Sequence, residues 1–345
     1  MAEILPIEQF LELSAAYPVI DVRSPSEFNQ GHIPGAWNIP LFNDQERKSV
    51  GTSYKQVNRE TAMYAGLEIA GKKLVSLAKE GEKRMGKDKT LLVHCWRGGM
   101  RSKSIVWLFE TLGITCYLLE GGYKSYRKHV FREFNKPLNM ILVGGRTGSG
   151  KTDILHQLRN LGEQVVDLEA LAHHKGSAFG ALGETPQPTT EQFENNLCQK
   201  LSELDRTRRV WLEDESRNVG KCVIPGEIYT EMRKSRILFL DISMELRAKH
   251  LVKHYSKYPK EELKTCIQKI SKRLGGDRTR KAIDSVERED YYNTALITLH
   301  YYDKTYMFSL VKNHKDHEVI ETDRIDTEHN AELLLRSVYE EERKI

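Results

Sequence analysis

The chain has 345 residues, 39% of them hydrophobic and 30% charged, with a formal net charge of +4. This length is sufficient for two domains that each bury a core of their own. No apolar run approaches the roughly 18 residues that a membrane helix needs, and the first residues, MAEILPIEQF, lack the basic and apolar regions of a secretory signal, so we expect a cytoplasmic protein without a membrane span.

The first part of the chain alternates between predicted strands and predicted helices. A helix is predicted to begin at Pro25, because Ser24 and Glu27 have capping-box spacing and proline is favoured at the first helical position. Further helices are predicted at residues 59–80 and 102–112. The apolar strands lie at residues 17–23, 31–40, 89–95 and 115–122. Strands separated by helical lengths indicate a parallel α/β sheet, which we assign to residues 1–130.

The stretch HCWRGGMRS, residues 94–102, places a cysteine in a loop rich in glycine and arginine at the end of a predicted strand. The N–H groups of this loop can converge on the sulfur of Cys95, and the next helix adds positive potential, so we expect a nucleophilic thiolate. The alternative is a buried inert cysteine. The other four cysteines are interpreted in that way, since they form no CxxC pair and no zinc-ligand spacing. The residues expected to bind an anion beside Cys95 are Arg97, Gly98, Gly99 and Arg101.

The spacing His-Cys-x5-Arg-Ser is also the signature of cysteine-dependent phosphatases, so the loop alone leaves two chemistries open. Two flanking segments resemble rhodanese-like sulfurtransferases: DVRSPSEFNQGHIPGAWNIP at residues 21–40 and EGGYKSY at residues 120–126. The resemblance implies that Cys95 accepts a chalcogen atom and carries it as a persulfide. Three charged residues of the first segment are expected to form a structural network of hydrogen bonds and ion pairs, namely Asp21, Arg23 and Glu27.

A second α/β pattern follows a basic linker that is predicted at residues 131–137 and ends in proline. This second domain, residues 138–345, has predicted strands at residues 138–144, 163–168, 208–214 and 236–241. It ends in a largely helical region. The last predicted helix has an apolar stripe typical of core packing, formed by Ala331, Leu334, Leu335, Val338 and Tyr339.

The stretch GRTGSGKT, residues 145–152, matches the P-loop pattern G-x4-G-K-[ST] between an apolar strand and a helix. In such loops the glycines let backbone N–H groups face phosphate oxygens, while the helix N-terminus and the lysine add positive charge. The residues expected to bind a diphosphate are therefore Gly145, Arg146, Thr147, Gly148, Ser149, Gly150, Lys151 and Thr152.

A magnesium ion is expected beside Thr152, because a P-loop hydroxyl coordinates this cation. An acid at the end of a neighbouring strand should help to hold the ion, and residues 210–216, VWLEDES, offer three. Alternation along the strand places Asp214 on the face opposite Glu213 and Glu215, and of the three we favour Asp214.

Positive charge is concentrated between Lys253 and Lys281, with ten Lys/Arg against three Asp/Glu. Such a segment is either a solvated helical face or a basic patch for a polyanion. Nucleic acid fits the second interpretation, because phosphate contacts supply affinity that does not depend on base sequence. The candidate nucleic-acid-binding residues are Lys272, Arg273, Arg278 and Arg280. An exposed aromatic ring could stack on a base of an RNA, although core packing is the better expectation for each of Tyr123, Tyr301 and Tyr302.

Over essentially the whole chain, the order of these segments resembles the tRNA 2-selenouridine synthase family. Besides the two loops, the resemblance rests on residues 46–67, DLEALAHHKGSAFG at residues 167–180, WLEDES, and LHYYDKTY at residues 299–306. Asn58 departs from the pattern at a position where glycine is expected. The implied fold is a rhodanese-like parallel-sheet domain followed by a P-loop NTPase-like parallel-sheet domain with a helical C-terminal region.

The resemblance also implies a reaction on the wobble 2-thiouridine in the anticodon region of tRNA. The sulfur is first geranylated from geranyl diphosphate, which binds to the P-loop with Mg²⁺, and the S-geranyl group is then replaced by selenium from selenophosphate. Cys95 would attack the selenium and form a perselenide, while Arg97, Arg101 and loop N–H groups hold the departing phosphate. No tightly bound organic cofactor is expected. Residues 176–183, GSAFGALG, line an apolar groove for the geranyl chain or form an ordinary surface loop.

Two other functions stay open at this stage. One is a bifunctional cysteine phosphatase and P-loop kinase for small phosphorylated molecules, since residues 237–251 resemble small P-loop kinases. The other is a nucleotide-gated RNA-binding module, against which Cys95, Lys151 and Thr152 argue, because a pure binder needs no nucleophile. The sequence leaves open whether the P-loop binds a nucleotide or only a prenyl diphosphate, and also the oligomeric state.

Overall fold

The computed structural model describes residues 2–313 and 317–343, and the chain forms two compact units. Unit 1 consists of Met1–Glu133 and Glu194–Gln199, and unit 2 consists of Phe134–Phe193 and Lys200–Ile345. None of the helices in the described ranges is both long enough and apolar enough to cross a membrane.

Unit 1 is built on a five-stranded parallel sheet. Its strands are β1 (Glu3–Leu5), β2 (Val19–Asp21), β3 (Trp37–Asn38), β4 (Thr90–His94) and β5 (Thr115–Leu119). The helices are α1 (Ile7–Leu13), α2 (Pro25–Gln30), α3 (Asp44–Gln56), α4 (Arg59–Gly71), α5 (Leu74–Arg84), α6 (Met100–Thr111) and α7 (Tyr123–Phe134). The strand order is β1-β5-β4-β2-β3, so β4 is central.

The position of β4 places the cysteine loop at the edge of this sheet where ligands usually bind. All five residues of β4 are buried, as expected for a parallel strand covered on both faces. Parallel strands end at one edge of the sheet, and in open α/β sheets the ligand sites lie outside the carboxyl ends of the strands. The capping box predicted before α2 is present, since Ser24 and Glu27 each bond the other's backbone.

Unit 2 contains a second five-stranded parallel sheet. Its strands are β6 (Asn139–Gly145), β7 (Gln164–Val166), β8 (Arg209–Glu213), β11 (Arg236–Asp241) and β12 (His317–Glu321), and β9 (Asn218–Val219) pairs with β10 (Cys222–Val223) in a separate antiparallel ribbon. The helices are α8 (Lys151–Asn160), α9 (Leu168–Ala172), α10 (Thr190–Ser202), α11 (Gly226–Met232), α12 (Met244–Tyr255), α13 (Lys260–Lys269), α14 (Ser271–Leu274), α15 (Gly276–Glu287), α16 (Tyr291–Asn313) and α17 (Thr327–Glu342). The middle of α10, Glu194–Gln199, belongs to unit 1.

The strand order of the second sheet is β12-β11-β6-β8-β7, which puts β6 in the centre. From β6 the chain first runs to β7 and β8 on one side and then to β11 and β12 on the other. The end of β6 is therefore a topological switch point, where a crevice for a ligand forms. The P-loop begins there, because Gly145 is the last residue of β6.

The predicted succession of two parallel-sheet units with a helical C-terminal region is confirmed. The structure also contains short strands that the sequence pattern did not predict. β1 and β12 are edge strands, each paired with one neighbour, and β9 and β10 have only two residues each. Such short or half-exposed strands carry too little apolar periodicity to be recognised. The segment predicted as a linker, residues 131–137, is partly helical, because α7 extends to Phe134, which is 1% exposed.

Candidate functional site

Cys95 follows β4 directly, and its side chain is buried, with 3% exposed. Its sulfur accepts a hydrogen bond from Ser102 Oγ at 3.2 Å. Because Ser102 lies in the first turn of α6, the sulfur is close to the N-terminus of this 12-residue helix, whose positive end stabilises a thiolate. The sequence predicted the loop and the helix, but the motif alone did not single out Ser102.

The backbone of the cysteine loop is held by the residues that begin α7. Tyr123 N donates to Cys95 O at 2.8 Å, and Lys124 N donates to Trp96 O at 3.0 Å. Gly122 has φ 61° and lies so close to the loop that a Cβ atom there would be 2.4 Å from Cys95 O. Only glycine fits this position, and the segment EGGYKSY therefore fixes the shape of the cysteine loop.

Arg97 and the loop N–H groups are the groups left available for an anion. Within the described part of the chain, the N–H groups of residues 96–99 donate to no protein acceptor. Arg97 is exposed and forms no hydrogen bond or salt bridge with another described residue. Gly98, with φ 66°, gives the loop its left-handed turn, and Gly99 is exposed. These N–H groups and the Arg97 guanidinium are suited to bind an oxyanion next to the sulfur of Cys95.

Arg101 is arranged differently, because its guanidinium is paired with Glu27. Arg101 Nη1 donates to Glu27 Oε2 at 2.6 Å, and Nη2 donates to Oε1 at 3.3 Å. Burial raises the pKa of Glu27, but the hydrogen bonds and charge of Arg101, together with the Ser24 N–H and the charge of Arg47, outweigh burial and hold that pKa below its ordinary value. Arg101 can therefore bind an anion only by sharing or leaving Glu27.

Asp21 and Arg23 form a separate buried pair. Arg23 donates to both carboxylate oxygens of Asp21, at 2.6 to 3.0 Å, and to Gly31 O at 2.6 Å. The guanidinium also lies 3.7 Å from the ring centre of Tyr123, which is fully buried in the core. His94 lies against this pair with its Nε2 3.8 Å from Asp21, and burial lowers the pKa of the imidazole, which favours its neutral form. These contacts are structural.

The P-loop has left-handed backbone at two glycines, Gly148 with φ 83° and Gly150 with φ 77°. A Cβ atom at Gly148 would lie 2.9 Å from Leu251 Cγ, so α12 packs directly on the loop. Lys151 Nζ donates to Gly145 O at 3.0 Å, folded back over the loop. A phosphate oxygen can replace that carbonyl as the acceptor.

Two C-terminal helices brace the P-loop. Arg247 of α12 donates to Thr147 O at 3.0 Å and forms a bidentate pair with Asp303 of α16 at 2.9 and 2.7 Å. Tyr306, also on α16, accepts a hydrogen bond from Gly145 N at 3.2 Å. The segment LHYYDKTY thus supplies residues that position the loop. The remaining loop side chains are Arg146, in a salt bridge with Asp241, and Ser149, which is buried.

The acid that contacts Thr152 is Glu169, which the sequence did not single out. Thr152 Oγ1 donates to Glu169 Oε2 at 2.8 Å. The favoured acid, Asp214, instead accepts hydrogen bonds from Arg233 and from Tyr306 Oη, both at 2.8 Å. Glu169 lies near the start of α9 in the segment DLEALAHHKGSAFG, two residues after a strand-end aspartate, and that position was the only signal for it.

Carboxyl groups crowd together on this side of the P-loop. The carboxylates of Glu169 and Glu215 converge on Gly176, where a Cβ atom would lie 2.8 Å and 2.9 Å from them. Burial, followed by repulsion from Glu169, raises the pKa of Glu215 to about 8, and burial also raises the pKa of Glu169. Glu213 is fully buried beneath them, and burial raises its pKa well above the usual value. A set of oxygen donors that repel one another fits a hard divalent cation such as Mg²⁺.

The P-loop opens into a cavity that adjoins an apolar pocket. The cavity is lined by five cationic residues, Lys151, Lys175, Arg233, Lys257 and Arg273. The apolar pocket is lined mainly by Leu251, Val252, Leu263, Ala295 and Leu299. Thr147, Ser177, Leu251, Tyr255 and Tyr302 belong to both linings. Residues 176–183 thus contribute Ser177 and Phe179 to the apolar pocket.

The predicted basic residues lie on α14 and α15 and are all exposed, namely Lys272, Arg273, Arg278 and Arg280. Arg273 reaches the P-loop cavity and donates to Tyr301 Oη at 3.2 Å. Arg280 pairs with Asp277 at 3.0 Å, which reduces its attraction for a polyanion. Tyr301 and Tyr302 are half-buried and line the same cavity.

Comparison with known proteins matches each part of the chain to a family. Residues 7–129 match the rhodanese-like domain, and residues 138–332 match the tRNA 2-selenouridine synthase AAA domain. Among similar full-length proteins are three named tRNA 2-selenouridine synthase. The one from Nitrosomonas europaea is 33% identical over 85% of this chain and 89% of its own length. The one from Bdellovibrio bacteriovorus is 34% identical, covering 86% and 90%, and the one from Shewanella denitrificans is 36% identical, covering 83% and 83%.

Proposed function

The chain belongs to the tRNA 2-selenouridine synthase family, and we propose that it is a transferase that converts the wobble 2-thiouridine of tRNA to 2-selenouridine in two steps. The first step is S-geranylation from geranyl diphosphate at the P-loop. The second is replacement of the S-geranyl group by selenium from selenophosphate at Cys95. The observation that carries this proposal is the apolar pocket that shares its lining with the P-loop cavity.

A prenyl diphosphate matches this pair of cavities better than a nucleotide does. Its diphosphate binds to the N–H groups of the P-loop and to Lys151, and its chain extends past Thr147 into the apolar pocket. Each buried methylene group contributes about 0.8 kcal/mol of transfer free energy. The apolar side chains of that pocket, such as Leu251, Ala295 and Leu299, offer no hydrogen-bond partners to a ribose or a polar base.

In the first step, the lone pair of the 2-thio sulfur forms a bond to C1 of the geranyl group. The C1–O bond breaks, its electron pair leaves with diphosphate, and the N3 proton of the base is lost to solvent. Lys151 and the P-loop N–H groups stabilise the charge that develops on the leaving diphosphate. Thr152, Glu169 and Glu215 would hold Mg²⁺, which supplies further stabilisation of that charge.

In the second step, alkylation makes displacement of sulfur possible, because geranylthiolate leaves C2 more readily than a delocalised thiocarbonyl sulfur does. Cys95 is the nucleophile that withdraws selenium from its donor, with Ser102 and the N-terminus of α6 stabilising its thiolate. Arg97 and the unpaired N–H groups of residues 96–99 bind the phosphate part of selenophosphate. Arg101 supports this site through Glu27, as its hydrogen bonds indicate.

Electron balance sets a condition on the Cys95 perselenide. Selenium in selenophosphate is at the selenide level, so attack of the Cys95 thiolate on selenium expels phosphorus with the bonding pair, as phosphite. After the perselenide displaces geranylthiol at C2, an external thiol must cleave the S–Se bond and leave a disulfide on Cys95. Attack of the same thiolate on phosphorus is redox neutral: it gives a cysteinyl thiophosphate and free selenide, and water then releases phosphate. Phosphorus NMR of the product separates the two routes.

The basic residues of α14 and α15 supply the contacts to tRNA in this proposal. Arg273 is exposed and also lines the P-loop cavity, so an RNA backbone bound there approaches the site of geranylation. Phosphate contacts of this kind fix the position of the RNA without reading its bases.

Mass spectrometry of tRNA nucleosides tests the proposed function. Incubation of the protein with 2-thiouridine tRNA and geranyl diphosphate should yield the S-geranyl nucleoside, and addition of selenophosphate should convert it to 2-selenouridine. Cys95→Ala should accumulate the geranylated nucleoside, whereas Lys151→Ala should block its formation but still selenate pre-geranylated tRNA. Release of phosphate from a generic aryl phosphate, without any change in the tRNA, would favour the phosphatase and kinase instead.

A further inference from the structure

A second group of metal-ligating side chains lies at the P-loop cavity, apart from the carboxylates described above. Asp153, His250 and His254 each offer one donor atom, and these atoms all lie within 4.8 Å of one another. All three residues line the cavity. His250 is half-buried, while Asp153 and His254 are exposed.

The two helices that meet at the P-loop create this cluster. His250 and His254 are one turn apart on α12, and their ring centres are 4.4 Å apart. Residues at i and i+4 of a helix lie on the same face, which is the spacing at which two imidazoles chelate one ion. Asp153 is in the first turn of α8, and its Oδ2 lies 4.0 Å from His250 Nε2.

We propose that Asp153, His250 and His254 bind one divalent ion of the zinc class, and that the open coordination position of this ion takes the sulfur of the 2-thiouracil ring. The second half of this inference rests on the proposed function, because it identifies the ligand as the acceptor base. The first half, the metal site itself, does not depend on it.

The donor set selects the class of ion. Two imidazoles and one carboxylate suit Zn²⁺ and its neighbours in the transition series, whereas Mg²⁺ prefers oxygen alone. Three protein ligands leave the fourth tetrahedral position open, which is the arrangement of catalytic rather than structural zinc. Ligand atoms of tetrahedral zinc lie about 3.4 Å apart, from bond lengths near 2.1 Å. The donors lie within 4.8 Å of one another and must therefore approach by up to about 1.4 Å, which rotation of the exposed Asp153 and His254 side chains allows.

The position of the cluster also favours this site. A Cβ atom at Gly150 would be 3.9 Å from His250 Nε2, so the cluster adjoins the P-loop itself. An ion here adjoins the proposed diphosphate site, so a sulfur that it binds is held near C1 of the prenyl chain, which the sulfur must approach from the side opposite the departing diphosphate. Sulfur is a preferred ligand of zinc, so the ion orients the acceptor.

Cobalt substitution tests the site without reference to activity. The full-length protein, freed of metal, is titrated with Co²⁺ in the presence of saturating Mg²⁺, and the visible d–d absorption is recorded. We expect one Co²⁺ per chain and displacement of it by Zn²⁺. His254→Ala, at an exposed position, should weaken Co²⁺ binding by at least about tenfold, since even outer-shell partners of a metal contribute about 10–100-fold. His300→Ala, a matched exposed histidine outside the cluster, should bind as the wild type does.

Addition of 2-thiouridine to the cobalt protein tests the second half of the inference. A sulfur-to-cobalt charge-transfer band should appear with 2-thiouridine and not with uridine. No Co²⁺ binding, or equal binding by His254→Ala, overturns the metal site. Binding without the sulfur band overturns the role in orienting the acceptor. If Co²⁺ binds with the sulfur band but no geranyl transfer to tRNA occurs with any metal, the site stands and the proposed function fails.

Discussion

Thr152 Oγ1 donates a hydrogen bond to Glu169 Oε2 at 2.8 Å, which joins the end of the P-loop to the first turn of α9. Hydroxyl and carboxylate oxygens are both suitable ligands for Mg²⁺. A Mg²⁺ ion bound to the Thr152 hydroxyl would therefore be close to the Glu169 carboxylate. The acid that contacts Thr152 thus lies in the helix after β7, whereas the oxygens of Asp214, just past the end of β8, accept hydrogen bonds from Arg233 and Tyr306.

Glu169→Gln is expected to weaken Mg²⁺ binding, so that geranyl transfer needs a higher Mg²⁺ concentration. Loss of one carboxylate charge lowers the affinity for Mg²⁺, and we expect the half-saturating Mg²⁺ concentration to rise by about tenfold or more, which is the lower end of the about 10–100-fold effect of losing a partner at a metal site. The measurement is the initial rate of geranylation against Mg²⁺ concentration. Glu227→Gln, on the exposed surface of α11, is the control. An unchanged Mg²⁺ curve in Glu169→Gln would exclude Glu169 as a ligand.

Arg97→Gln should mainly raise the KM for selenophosphate, whereas Arg101→Gln should mainly lower the stability of the fold. Arg97 is exposed and unpaired among the described residues, so its loss should leave stability within about 0.5 kcal/mol. A charge-assisted hydrogen bond contributes about 1.5–3 kcal/mol, so the KM for selenophosphate should rise about tenfold or more. Arg101→Gln should instead lower the free energy of unfolding by about 1–2 kcal/mol, because it removes the charge-assisted hydrogen bonds that Arg101 donates to the half-buried Glu27 carboxylate. Urea unfolding and selenation kinetics of both variants decide this.

The effect of Arg101→Gln should also depend on pH. The folded-state pKa of Glu27 is lowered from 4.5 by Arg101, so the pair stabilises the fold above the unfolded-state pKa and loses this contribution as pH falls through the folded value. The difference in free energy of unfolding between wild type and variant should be full at pH 7 and should shrink as the pH falls below the ordinary glutamate value of 4.5 towards the lowered pKa of the folded state. A difference that does not change with pH would show that Arg101 acts through packing alone.

Gly122→Ala should abolish selenation while geranyl transfer continues. The added Cβ would lie 2.4 Å from Cys95 O, and so would displace the loop that holds the sulfur. Gly113→Ala is the matched control, since Gly113 also has a positive φ, 75°, but open space around its Cβ position. Both variants carry the cost of left-handed alanine, roughly 1–2 kcal/mol. Equal selenation by the two variants would contradict the role of Gly122, and thermal unfolding of both checks that they fold.

Ala295→Phe should change the choice of prenyl chain. Ala295 lines the apolar pocket and is 8% exposed, so a phenyl ring there fills space that the proposed geranyl chain occupies. The KM for geranyl diphosphate should rise about tenfold, the equivalent of about 1.4 kcal/mol, whereas a five-carbon prenyl diphosphate and inorganic diphosphate should bind as before. An unchanged KM for geranyl diphosphate in Ala295→Phe would show that the geranyl group binds outside this pocket.

Lys272→Ala and Arg278→Ala should weaken tRNA binding in a salt-dependent way. Each substitution removes a positive charge from an exposed turn of α14 or α15. For every phosphate that is no longer neutralised, the slope of log affinity against log salt should become shallower by roughly 0.7–0.9. Arg280→Ala should have a smaller effect, because Arg280 is already paired with Asp277. The check is a filter-binding titration at several salt concentrations. Identical slopes for all three variants and wild type would exclude this face from the tRNA interface.

Local patterns allowed much of the fold to be predicted. The capping box before α2, the apolar strands β4 and β6, and the glycine loops after them each depend on interactions among residues that are near in the chain. Edge strand β12 could not be found in this way, because its HEVIE sequence is half-exposed and receives its hydrogen bonds from β11, about 80 residues earlier. For the same reason the pairing of Arg101 with Glu27 could not be predicted, because the two residues are 74 positions apart in the chain.

The sequence by itself determined the candidates for the chemistry, a cysteine in a glycine- and arginine-rich loop and a P-loop, and the family that the chain resembles. Backbone sterics and short-range hydrogen bonds are encoded in consecutive residues, so such motifs can be read directly. Only the tertiary structure decided that Gly122 and Tyr306 position the two loops, that Glu169 contacts Thr152, and that Asp153 meets His250 and His254. Those relationships depend on the strand order around β6 and on how α12 and α16 pack against the P-loop, and packing is set by the whole chain.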